Sequence, residues 1–186
     1  MSLVAMTDAI VTAVRGVSGL RMVEAYDGQF NETDLKRFGA AAPAVLVSNV
    51  GFDETEDYGD DLVCNAQWVM SILTQRTSGK PTEASRMNAA QALAETLTVM
   101  VRDSNSEGGA WAGESSGTPE KIRARNVASP ALDSRNLTMW LLTWTQKCSV
   151  TAFDNDALDD LLRLNGEMTL ATDITYDVET VVAGAS

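Results

Sequence analysis

Acidic side chains are the groups whose types and spacing first suggest chemistry in this chain. Asp53, Glu54, Glu56, Asp57, Asp60 and Asp61 fall within one short stretch. Carboxylates at this density can ligate Ca²⁺ or Mg²⁺. Their order departs from the EF-hand loop, because the glycine and the closing glutamate are misplaced. A charged hairpin loop held in solvent fits the stretch better, and charge there guards a strand edge against unwanted pairing. A second group, Asp154, Asp156, Asp159 and Asp160, opens an amphipathic helical pattern. Acids at that place cap backbone donors and meet the positive end of the helix dipole. Together the two groups would make a two-metal hydrolase site, but in a chain with no basic groove to hold a nucleic acid.

The rest of the inventory points away from catalysis. The sequence holds no histidine, which removes the usual general base, the Ser-His and Cys-His nucleophile pairs and the commonest zinc ligand. Cys64 and Cys148 both lie in apolar, strand-like runs and read as small buried hydrophobes, with nothing in their spacing asking for a disulfide. Gly108, Gly109 and Gly113 lack the lysine, the preceding strand and the following helix of a phosphate cradle. Trp111, alone in that Gly/Ser-rich loop, has two readings: a lid folded onto its own subunit, or an anchor for a neighbour. Arg123, Arg125 and Arg135 are the compact basic group. They suit salt bridges to a neighbour's acidic loop in an oligomer, or ordinary cross-strand pairs in a monomer. No cofactor and no metal site is expected.

Composition bounds the possibilities further. A chain of 186 residues, 45% hydrophobic, can bury a real core as one domain or as one domain with an extension. Its net charge of −12, from 26 acidic and 14 basic residues, disfavours tight binding to nucleic-acid phosphates. No stretch approaches a membrane span and no signal peptide opens the chain, so cytosolic synthesis is expected.

The elements that must position these groups follow from periodicity. Thr7 or Asp8 is expected to cap a first helix ended by Gly16, and Met22 to Asp27 forms a short strand. Asn31 or Thr33 caps a second helix carrying Leu35 and Phe38. Ala44 to Val50 is a buried strand, the acidic loop runs from Phe52 to Asp61, and Leu62 to Gln75 is a long strand that pairs back as a hairpin. Apolar residues from Met87 to Val101 recur at three- and four-residue steps, giving the most secure helix. A polar arm with Pro130 then feeds the strand Leu137 to about Thr151. That strand is apolar on both faces, with Leu137, Met139 and Leu141 on one and Trp140, Leu142 and Trp144 on the other, so both faces need cover. The predicted fold is α+β: an antiparallel or mixed β-sheet with helices packed on one face and the other left for partners. Residues 1–151 form the core domain, and 152–186 an extension of a short helix plus one or two strands.

Several segments in this order resemble the tail terminator family of Mu-like bacteriophages. They are the first helix with Val23-Glu24-Ala25-Tyr26-Asp27-Gly28, then Ala42-Pro43-Ala44-Val45-Leu46-Val47, then Ala66-Gln67-Trp68 in the long strand. Asn126 to Gln146 follows, and last Leu158-Asp159-Asp160-Leu161-Leu162-Arg163-Leu164. The resemblance covers most of residues 1 to 180. It implies a non-enzymatic structural protein of the virion tail, assembled in the bacterial host cytoplasm. Such a protein forms a ring, a hexamer, on the end of the tail tube, stops tube polymerisation and offers a surface to the head. Its partners would be copies of itself, the tail tube protein and a head-tail connector protein, with no membrane. Genome DNA would pass through the ring without sticking, because an acidic lumen removes the phosphate attraction. The expected interface residues are Asp53, Glu54, Glu56, Asp57, Trp111, Arg123, Arg125 and Arg135. A head-tail connector or neck protein is the alternative in the same setting. A metal-dependent hydrolase using the acidic groups and a small-molecule binder using the Trp-rich sheet are the alternatives from other classes.

Overall fold

A computed structural model describes residues 3–26, 31–58, 61–75, 83–106, 108–111 and 117–150, all inside the compact unit Met1–Thr151. The predicted extension and the acids from Asp154 onward lie outside the described residues. In chain order the elements are α1 (Leu3–Arg15), β1 (Met22–Ala25), α2 (Glu32–Ala40), β2 (Ala44–Tyr58) and β3 (Asp61–Gln75). They continue with α3 (Glu83–Asp103), β4 (Glu120–Val127), α4 (Pro130–Asp133) and β5 (Leu137–Val150). The strands form one mixed sheet in the order β1-β2-β3-β5-β4. Only β1–β2 is parallel; the other three pairings are antiparallel. This is an α+β fold.

Alternation along the strands sorts their side chains between two faces. The first face carries Val45 and Val47 of β2, Cys64, Ala66, Trp68, Met70 and Ile72 of β3, and Leu142, Trp144 and Cys148 of β5. The amphipathic helices α1 and α3 cover it, α1 through Met6, Ile10, Val11 and Val14, and α3 through Ala94, Leu97 and Val101. The second face is covered only at one end. There Leu35 and Phe38 of α2 and Leu132 of α4 close over Leu46, Leu73 and Leu137. The Trp strand is thus covered on both faces near its start, and among the described residues the opposite half of its second face is left open. Helices therefore meet both faces, the long pair on one and the short pair on part of the other.

Local signals explain how α2 and α4 come to lie there. Asn31 caps α2 by accepting the Asp34 N–H while the Asp34 carboxylate accepts the Asn31 N–H, a reciprocal capping box. Tyr26 Oη donates to the Asp34 carboxylate at 2.9 Å, tying the helix to the end of β1. Gly39 admits a close approach: a Cβ there would sit 2.9 Å from Leu137 Cδ1. Ser129 caps α4 and Pro130 occupies its first turn, where a missing N–H costs nothing.

Three expectations need correction. Helix α1 begins at Leu3, so Thr7 lies inside it, with its hydroxyl donating to the Leu3 carbonyl rather than capping. The arm before the Trp strand is a full edge strand, β4, followed by a short helix. The predicted acidic loop is not a loop: β2 runs on to Tyr58, and Tyr58 pairs with Asp61. Pairing with β3 satisfies the inward half of this stretch's backbone groups, so its acidic composition did not prevent a strand. Irregularities between Asn49 and Gly51 and between Asp53 and Glu56 absorb the mismatch.

Candidate assembly interface

The open half of the second face carries a polar recess. Asp53 of β2, Asn65 and Gln67 of β3, Thr145 and Lys147 of β5, and Glu120 and Lys121 of β4 line a recess of about 290 Å³. Each arrives by alternation from its strand: Asp53 stands opposite Asn65, Asn65 opposite Lys147, and Gln67 opposite Thr145. Gln67 Nε2 donates to the Asp53 carboxylate at 3.1 Å. The Thr145 hydroxyl donates to the Glu120 carbonyl at 3.4 Å, stitching β4 to β5 at its bulge. Nothing in this mixture of acid, base and amide resembles a nucleophile with its base. It offers dispersed polar contacts of the kind found around protein interfaces.

The expected interface residues separate into distinct environments. Asp53 is exposed on the open face. Glu54, Glu56 and Asp57 follow it along β2, with Glu56 opposite Val63 and Asp57 opposite Leu62. Arg123 and Arg125 are exposed on β4, paired with Thr143 and Leu141, on the same side of the sheet as Asp53 but at the far edge. Arg135 is elsewhere: its guanidinium lies 3.6 Å from the Glu32 carboxylate at the start of α2. The three arginines therefore do not form one group, because α4 carries the chain from the β4 edge to the closed end. Among the described residues, no ion pair involves Arg123 or Arg125.

Trp111 takes the first of its two readings and folds onto its own subunit. It is only 2% exposed, with its ring 6.3 Å from that of Trp144, which in turn stacks on Trp68 at 6.3 Å. Sequence reasoning missed the residue that organises this cluster. The Gln146 side chain, 1% exposed, accepts from the indole N–H of both Trp111 and Trp144 at 3.3 Å. Its amide donates to the Gly117 carbonyl at 2.9 Å. The available signal was position: a glutamine two residues after Trp144 shares its face of the strand and so must be buried with it.

Cys64 and Cys148 stand directly opposite each other in the β3–β5 ladder, both buried and both free thiols. Burial, followed by the neighbouring Cys64, pushes the Cys148 thiol up to about 12. Burial, then the Asp53 charge, also raises Cys64. Both are therefore protonated and weakly nucleophilic near neutral pH. Among residues with described placement, no three His, Cys, Asp or Glu side chains gather where they could hold a metal ion. No described helix is long and apolar enough to cross a membrane.

Comparison with known proteins adds little to this picture. No protein-family model matches the chain, and no curated protein matches it. Among solved structures it is similar to a chain from the virion of a native gene transfer agent particle. That likeness has 13% identity and a TM-score of 0.43, over 77% of this chain and 94% of the other. A likeness at that level carries no argument about function.

Proposed function

We propose that this protein is a non-enzymatic assembly component of a phage tail. It forms a ring on the end of the tail tube, stops tube polymerisation and provides the surface on which a head-tail connector docks. The reading starts from the sequence resemblance to Mu-like tail terminators. The single structural observation that supports it is a sheet that, among the described residues, leaves the β4 edge and the far half of β2 without a neighbouring strand, the one basic and the other acidic, with half of one face open and polar. Closed rings require two different patches on each subunit, one meeting the other on the next copy. A chain with one self-complementary patch would stop at a dimer.

In this reading the partners are further copies of the chain, the tail tube protein and a connector, and the working location is the virion tail. Genome DNA passes the ring, and the net charge of −12 keeps its phosphates from adhering. The test is direct: add the protein to polymerising tail-tube subunits and measure tube lengths by electron microscopy. Tubes should shorten as the protein is raised toward one ring per tube end. Unchanged lengths at saturating protein would sink the terminator role. A head-tail connector would instead bind finished heads and leave tube growth alone.

A further inference from the structure

We infer that neighbouring copies join by strand addition, with the β4 edge of one subunit pairing antiparallel to the far half of β2 in the next. This rests on the ring reading and names its interface. Among the described residues, β1 pairs with β2 only from Ala44 to Val47. Beyond that point β2 runs on to Tyr58 with no strand on its outer side among the described residues. At the other end of the sheet, β4 exposes eight residues of edge. Long free edges of this kind are templates for pairing with another chain.

The two edges match in direction, in length and in chemistry. Strands β2 and β5 run the same way and β4 runs opposite. A copy placed beside the first with the same face toward the helices therefore meets it antiparallel. Setting Phe52 opposite Ala124 brings Asp53 opposite Arg123 and, counting back across the irregularity between Asn49 and Gly51, Asn49 opposite Asn126. That register begins just past the end of β1, so the incoming edge clears it. On the helix-covered side, Phe52 is a large apolar side chain left 51% exposed. Ala124 there lines an apolar groove of about 330 Å³ with Val99 and Trp140. The Trp140 indole N–H on this side is buried without an acceptor among the described residues. On the open side, acid from β2 meets Arg123 and Arg125 from β4. A slip of one residue would set Phe52 among the arginines and Asp53 over the apolar groove, so the register is specified from both faces.

A disulfide trap reads the contact even when it is transient. The chain carrying both Phe52→Cys and Ala124→Cys is incubated with oxidised glutathione and resolved by non-reducing electrophoresis. The native thiols are buried and serve as the background in unsubstituted protein. Joined dimers and a ladder above them should form, whereas Ala124→Cys alone and Phe52→Cys alone should give no ladder. Adding Arg123→Glu and Arg125→Glu should lower the yield by about tenfold, and adding Asp53→Lys as well should restore part of it. Circular dichroism identifies any variant that does not fold, and the pair Arg123→Gln and Arg125→Gln then replaces the charge reversal. Absence of a ladder from folded protein would overturn the inference, as would a ladder indifferent to the arginines. If tubes are still capped in that case, the terminator role stands and only this interface falls. If tubes are not capped either, both fall.

Discussion

At the residue scale, the most consequential side chain is Gln146. It is a polar group in an apolar core, and it is tolerated because its oxygen accepts from two indole N–H groups and its amide donates to a backbone carbonyl. Replacing it with leucine keeps much of the volume but leaves both indole donors without an acceptor. Gln146→Leu should therefore cost roughly 2–4 kcal/mol of unfolding free energy by urea titration, with Trp fluorescence shifting as the cluster rearranges. An unchanged midpoint would show that the two donors find other acceptors. The paired thiols make a second prediction. A raised acid holds its proton in the folded state while the unfolded chain releases it near the ordinary value. The Cys148 contribution is thus fully present below about pH 9 and fades as pH rises toward about 12. Tyr and Lys titrate in the same range, so the readout is the difference between wild type and Cys148→Ala, whose stability should fall less steeply across that window. Parallel curves would refute it.

At the element scale, the sheet is asymmetric because its two covers differ in size. Helices α1 and α3 span one face, and α2 and α4 close only the end where Leu46, Leu73 and Leu137 lie. The short helix α2 depends on its cap, since isolated helices of this length are marginal in water. Asn31→Ala should lower global stability by about 1 kcal/mol. Asn31→Asp, which keeps an acceptor at the cap, should lose much less. Equal losses would mean that the capping box contributes little. The acidic half of β2 is instructive at this scale too. Its composition reads as a loop, yet its backbone pairs with β3 through Tyr58. Strand propensity is weak beside the gain from extending an established ladder.

At the scale of the whole molecule, the described sheet ends on one side with the basic strand β4 and on the other with β1, beyond which the acidic half of β2 forms the edge. That polarity suits head-to-tail association and disfavours face-to-face dimers, where like edges would meet. The tube-length assay belongs here, because capping is a property of the assembled ring. Its expected signature is a threshold: a few equivalents per tube end suffice, and further protein changes nothing. A proportional effect continuing to equimolar protein would instead indicate sequestration of tube subunits.

By itself the sequence determined the types of α1, β1, α2, β3, α3 and β5, the hairpin of β2 and β3, the α3 stripe and the α+β class. Those follow from period, from turn residues and from caps, all of which act over a few neighbours. It also made the Trp strand's need for two covers plain. Only the tertiary structure decided which end of the second face α2 and α4 would close. It alone separated Arg135 from Arg123 and Arg125, seated Trp111 on Gln146, and set Cys64 opposite Cys148. Each of these depends on strand order and register, which bring together residues tens of positions apart. A one-residue change in register would move every side chain to the opposite face, and no local pattern in the chain encodes that choice.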